Sequence, residues 1–277
     1  MPAYNAGVDI YQKTQAFYES VNTEKRIVGK SLFGRDIFAV KMGEGRPTGL
    51  AQYAIHGREY ITAELAFSHY RKGVFKGSVW LIPLANPDGA LLSECGLRSV
   101  ENAEDREKLL IWNGGADFSL WKANGRGVDL NVNFPARWGE GEKNVRTAGA
   151  ENYIGSSPFS EPETLALKNF TEEITPDYTV SYHTKGEEIY WYFYQSPRTC
   201  PRHKRLAEAL SRSTGYPLAS PGKSAGGYKD WCIQTLDIPA FTIEVGADSF
   251  SHPLGQESLA DILQKNERAL YELSKEI

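Results

Sequence analysis

A chain of 277 residues that is 41% hydrophobic and 12% aromatic can bury one substantial core, so a single domain spanning 1–277 is expected. The charged fraction is 24% and the formal net charge is -4, which leaves no basic stripe for nucleic acid and no acidic tail, and points to a small molecule or a peptide as partner. Met1 to Gly7 lack the basic and apolar regions of a leader and no later segment is long enough to cross a bilayer. This predicts a cytoplasmic protein with no membrane partner; a secreted form trimmed of its signal is the alternative.

Val8 to Asn22 places Ile10, Phe17 and Val21 at helical spacing, which predicts an amphipathic first helix. Arg26–Gly29 and Asp36–Val40 flank Gly34 and read as a hairpin at a sheet edge. Leu50–Ile55 follows as a buried strand, Tyr60–Tyr70 as a helix, and Ser78–Leu84 as a strand that stops at the turn signal Asn86-Pro87-Asp88-Gly89. From about Ser93 to Pro158 the periodicity fades among Gly, Asn and charged residues, and so long an irregular stretch is usually functional.

Ser160-Glu161-Pro162-Glu163 reads as a helix start with Ser160 as N-cap, continuing over Leu165–Glu173. Tyr178–Tyr182 and Ala240–Ile243 read as strands, the aromatic run Tyr190–Tyr194 as strand core, and the chain from about Ser258 as a closing helix. Alternating strands and helices predict an α/β domain with a central mixed, mostly parallel sheet flanked by helices.

The chemistry is concentrated at three strand ends. His56 follows the Leu50–Ile55 run with Glu59 three residues on, His183 ends the Tyr178–Tyr182 run, and Glu244 ends the Ala240–Ile243 run. The His56–Glu59 spacing alone does not distinguish a metal site from a surface ion pair, but polar groups at the carboxyl ends of three sheet strands converge on one crevice. Two histidines and a glutamate form a common zinc set in hydrolases. His56, Glu59 and His183 supply it for one Zn2+, leaving Glu244 as the free carboxylate that acts as base and then acid.

The motifs H-G-R-E at His56, N-P-D-G at Asn86, G-V-D-L-N at Gly127, G-S-S-P-F-S-E-P-E-T at Gly155, S-Y-H-T at Ser181 and F-T-I-E-V-G at Phe241 stand in order along most of the chain. The ordered set resembles the zinc carboxypeptidases of the carboxypeptidase A type. The resemblance implies zinc on His56, Glu59 and His183, with Glu244 as the catalytic base. It also implies a cation after Trp121 that steadies the oxyanion; Lys122 and Arg126 are the two candidates.

Two departures bear on specificity. Family members that remove a carboxy-terminal residue carry Asn-Arg after G-V-D-x, a clamp for the terminal carboxylate, whereas this chain keeps Asn131 but has Val132. Valine cannot make a bidentate charged contact. In Gly226-Gly227-Tyr228-Lys229-Asp230-Trp231, which resembles the segment lining the family's specificity pocket, a lysine and an aspartate stand together, suited to a zwitterionic end group.

The combination looks most like the γ-D-glutamyl-diamino acid peptidases, which cut bacterial cell-wall peptides before diaminopimelate. That resemblance implies a peptidoglycan-derived peptide as substrate, contacted by Asn131, Tyr228, Lys229, Asp230 and, through a carboxylate, Arg58. Rival readings are a zinc carboxypeptidase of other specificity, an aspartoacylase-like amidohydrolase of N-acyl amino acids, and a non-catalytic module that binds wall peptides. Thr184 and Lys185 are candidates for lining the cleft. His69, His203 and His252 are expected to be structural, and Cys95, Cys200 and Cys232, odd in number, to be free thiols.

Overall fold

A computed structural model describes residues 7–220 and 222–277; the leader reading of Met1 to Ala6, and Pro221, lie outside the described residues. Seven strands form one sheet: β1 (Lys25–Lys30), β2 (Asp36–Gly43), β3 (Thr48–Tyr53), β4 (Ser78–Ile82), β5 (Tyr178–His183), β6 (Glu188–Tyr190) and β7 (Ala240–Glu244). Their order is β1-β2-β4-β3-β5-β7-β6. The central four, β4-β3-β5-β7, run parallel, and antiparallel strands close both edges. The sheet is therefore mixed and mostly parallel, as the alternating pattern predicts.

Alternation along the strands sorts two cores. Ala51, Tyr53, Val79, Leu81, Val180, Tyr182, Phe241 and Ile243 face one way and pack with α2 (Thr62–Lys72), α6 (Cys200–Thr214), α8 (Leu259–Asn266) and α9 (Ala269–Glu276). Leu50, Trp80, Ile82 and Ala240 face the other way, against α5 (Pro162–Ile174) and α7 (Tyr228–Gln234). Gly29 lies where α5 crosses the edge hairpin; a Cβ there would stand 2.5 Å from the Ala166 Cβ, so only glycine allows the approach.

On the α7 face the carboxyl half of the sheet is polar. Gln52, Ser181 and Thr242 form one cross-strand row, and His183 pairs with Glu244 in the next alternate row. Core burial drives the lower part of these strands into place, and their ends deliver the polar rows to the site.

Several expected elements shift. Asn86-Pro87 is no isolated turn: Asn86 caps α3 (Pro87–Cys95), its Oδ1 accepting from Gly89 N at 2.9 Å. The stretch after Ser93 contains α4 (Ala103–Asn113), which buries only Leu109 and so leaves almost no apolar stripe for sequence to show. Glu161, not Ser160, is the N-cap of α5. The aromatic run leaves the sheet after Tyr190, because β6 is only three residues long. The closing helix breaks into α8 and α9. The first helix, α1 (Ile10–Ser20), begins with an Asp9–Gln12 capping box.

Candidate metal centre

β3 ends at Tyr53, and the chain turns through Ala54 and Ile55 to set His56 at the start of a short 3-10 turn, Gly57–Glu59. Gly57 makes this turn possible: a Cβ would lie 2.4 Å from Gly89 O and 2.8 Å from Trp121 O. Its N–H donates to Lys122 O at 2.9 Å, so the turn is stitched to the segment that carries Lys122.

The geometry gathers His56, Glu59 and His183, all buried, with one donor atom from each within 4.8 Å of the others. The two Nδ1 atoms are 3.1 Å apart; His56 Nδ1 is 2.9 Å from Glu59 Oε1 and His183 Nδ1 is 2.9 Å from Oε2. Burial alone would push the Glu59 carboxyl up, but the two rings overcome it and hold the group well below the carboxylate range. Two ring nitrogens facing each other across a buried carboxylate form a donor set of two nitrogens and an oxygen, which fits zinc. The Nε2 atoms of both rings are buried with no aligned hydrogen-bond partner among the described residues.

Asp129 backs this centre. Its Oδ1 is 3.2 Å from His56 Nε2 and its Oδ2 is 3.0 Å from Lys122 Nζ. Burial opposes its charge, yet Lys122 and His56 pull its carboxyl far below the usual range. A carboxylate on the far nitrogen of a ligand histidine fixes the ring and raises its basicity. The sequence shows Asp129 within G-V-D-L-N without marking a role for it. The signal was an aspartate inside an otherwise irregular, Gly-rich stretch.

A cleft of about 360 Å³ opens beside the centre, lined by His56, Lys122, His183 and Glu244 together with Asn131, Val132, Lys229 and Asp230. Burial pushes the Glu244 carboxyl up to about 7, with His183 pulling it down and Glu59 pushing it further up. Such a carboxyl is poised to exchange a proton near neutrality. Lys229 Nζ donates to Asp230 Oδ1 at 2.5 Å and to Tyr192 O at 3.2 Å, over the Phe193 ring at 5.3 Å. Asp230 Oδ2 in turn accepts from Gly227 N at 3.2 Å.

Other expected contacts fall elsewhere. Arg126 is half exposed and 3.6 Å from Glu161, away from the cleft, so of the two candidate cations only Lys122 lines it. Tyr228 is fully buried in the core, its hydroxyl 2.8 Å from Thr171 Oγ1, and contributes only its N–H, which donates to Asn131 Oδ1 at 3.0 Å. Arg58 is held by Leu120 O at 3.4 Å and Glu151 at 3.6 Å. Tyr190, at the end of β6, and Tyr192 and Phe193, beyond it, line the cleft. His69 is structural, between Tyr53 Oη and Asn266 O, and Cys95, Cys200 and Cys232 are free thiols.

Comparison with known proteins agrees with this geometry. The chain is 31% identical over 249 residues to "Gamma-D-glutamyl-L-diamino acid endopeptidase 1" of Lysinibacillus sphaericus, covering 83% of this chain and 62% of that protein. It is 34% identical over 164 residues to "Murein peptide amidase A" of Escherichia coli K12, covering 54% of this chain and 62% of that protein. The chain thus spans about three fifths of the length of either relative. Among solved structures, the murein-tripeptide amidase of Escherichia coli O157 aligns with a TM-score of 0.62 and 25% identity over 94% of this chain and 95% of that one. Bovine thrombin-activatable fibrinolysis inhibitor aligns with a TM-score of 0.74 over 96% of each chain, and at 18% identity it shows the fold alone. The model of the family "Zinc carboxypeptidase" matches residues 10–268, so the chain belongs to the zinc carboxypeptidase family and its cofactor is zinc.

Proposed function

We propose that this protein is a peptidase that hydrolyses the amide between a γ-D-glutamyl carbonyl and a diamino acid such as diaminopimelate in peptides derived from bacterial wall. The observation that carries the reading is the cleft beside Glu244. Val132 stands there where a carboxylate clamp would need arginine, and a Lys229–Asp230 pair occupies the wall. One relative is named for a γ-D-glutamyl–diamino acid bond and another as a murein peptide amidase, which supports the reading.

Zinc held by His56, Glu59 and His183 would supply Lewis acidity, polarising a carbonyl and making water a stronger acid. Glu244 takes the proton of the attacking water on a carboxylate oxygen and delivers it to the departing amine nitrogen, so the carboxylate is regenerated in each turnover. Lys122, tethered to Asp129, presents its ammonium to the charge that develops on the carbonyl oxygen. Asn131, fixed by the Tyr228 N–H, and Lys229 hold the leaving diamino acid; Asp230 steadies Lys229 and offers its charge to the distal amino group.

No helix among the described residues is long and apolar enough to cross a membrane. A cytoplasmic site of action would suit recycling of wall fragments. The test incubates the zinc-loaded protein with L-Ala-γ-D-Glu-meso-diaminopimelate and with a hippuryl amino acid. Release of diaminopimelate is expected, and cleavage of the hippuryl compound alone overturns the reading.

A further inference from the structure

The acyl half of the proposed substrate has a group that an ordinary peptide lacks. A glutamyl residue linked through its side chain keeps its α-carboxylate free, four bonds from the carbonyl under attack. The wall formed by Asn131, Val132, Lys229 and Asp230 takes the leaving diamino acid, so the acyl chain departs along the opposite flank of the metal centre.

That flank is built by the chain just beyond β5 and β7. Val245 N donates to His183 O at 2.8 Å and Gly186 N to Gly246 O at 2.9 Å, which keeps the two segments side by side past the sheet. Lys185 spans them: its Nζ donates to Asp248 O at 2.9 Å and to Asp248 Oδ1 at 3.1 Å. Its backbone follows the ligand His183 by two residues, at most about 7 Å along the chain. Thr184 Oγ1 lies 3.4 Å from His252 Nδ1, which ties the residue before Lys185 to the segment beyond β7.

Each cation on this flank, Arg58 and Lys185, is answered by an acid at the rim, Glu151 and Asp248, with side chains 49% and 80% exposed. Glu188 Oε1 also lies close, 3.6 Å from where a Cβ on Gly186 would stand. Arg58 is already engaged with Leu120 O. An ammonium carries three donors and Asp248 takes two, so Lys185 retains one for an incoming anion. An exposed partner of this kind adds little and gives way readily to a better placed carboxylate.

We infer that Lys185 is the specificity-determining residue of the acyl side, binding the free α-carboxylate of the γ-glutamyl residue. The inference rests on the peptidase reading above and assigns its acyl-side recognition to one side chain.

The test compares L-Ala-γ-D-glutamyl-diaminopimelate with its α-carboxamide counterpart, which differs only in that carboxylate. For the wild-type zinc protein the ratio of the two kcat/KM values, acid over amide, is expected to be about 10 to 100, the worth of one charge-assisted contact. The ratio is expected to fall to about 1 in Lys185→Met, to drop below 1 in Lys185→Glu, and to be kept in Asp248→Asn, which leaves the ammonium in place. Circular dichroism and zinc content of each variant guard against misfolding. A wild-type ratio near 1, or a ratio unmoved by Lys185→Glu, overturns the inference while leaving the peptidase reading intact. Failure of the wild type to cut either compound overturns both.

Discussion

His56 Nε2 meets Asp129 Oδ1 at 3.2 Å, so the first metal ligand of the chain is oriented by a carboxylate that is itself completely buried and paired with Lys122. Asp129→Asn keeps the shape but removes the charge that fixes the ring. Zinc affinity, measured by chelator competition, is expected to fall about 10- to 100-fold. Lys122 loses its partner in the same variant, so kcat should fall even at saturating zinc. An unchanged dissociation constant for zinc would show that Asp129 does not act through His56.

Glu244 contributes to the centre without belonging to the His56–Glu59–His183 set. Glu244→Gln is expected to lower kcat about 10²- to 10⁴-fold, with zinc affinity little changed. The acid limb of kcat/KM follows the sign of its shift. Burial sets the carboxyl at about 7, a bound cation draws it lower, and a base works only when deprotonated. Activity should therefore decline as pH falls through a midpoint at or below about 7, and that limb should vanish from the residual Glu244→Gln activity. Wild-type rates in this variant would remove Glu244 from the role of base.

Composition made β3, β5 and β7 legible, and with them the residues at their ends, because burial on both faces writes a short run rich in apolar, β-branched and aromatic residues that stops where the site begins. What lay between the strands was less legible. α4 is amphiphilic only weakly, and Glu161 and Glu163, which resemble surface acids of a helix start, are buried acceptors for Asn124 Nδ2 at 2.8 and 3.1 Å. Asp129 was hidden for the same reason: its role depends on His56, distant in sequence, which no local pattern records. Lys122 and Arg126 could not be separated by spacing, since only the fold sends the first to Asp129 beside the metal centre and the second to Glu161.

Buried His69 makes stability depend on pH. Its Nδ1 accepts from Tyr53 Oη at 2.7 Å and its Nε2–H donates to Asn266 O at 2.9 Å, an arrangement that uses the neutral ring. Burial lowers its pKa to about 4. The unfolded chain, with a pKa near 6.5, binds a proton first, so the contribution is complete above about 6.5 and is lost as pH falls toward about 4, at a cost of up to about 3 kcal/mol. Urea unfolding of the metal-free protein at pH 7 and 4.5 should show a larger acid loss for wild type than for His69→Gln. His203 and His252, also pushed down to about 4 by burial, add to the slope in both proteins and so do not obscure the difference. Parallel behaviour of the two would remove His69 from the account.

Lys229 is expected to govern the leaving side. It is nearly buried between Asp230, Tyr192 O and the Phe193 ring, so Lys229→Met removes a cation from the cleft and leaves the Asp230 carboxylate with the Gly227 N–H alone. Two consequences separate binding from folding. Stability should fall by about 3 kcal/mol, because an uncompensated buried charge costs more than the pair contributes. KM for the diamino peptide should rise at least about tenfold, with kcat less affected. Adding Asp230→Asn relieves the stranded charge while keeping an acceptor for Gly227, so the double variant should recover much of the stability and none of the affinity. Recovery of KM along with stability would mean that Lys229 serves only to neutralise Asp230 and does not touch the substrate.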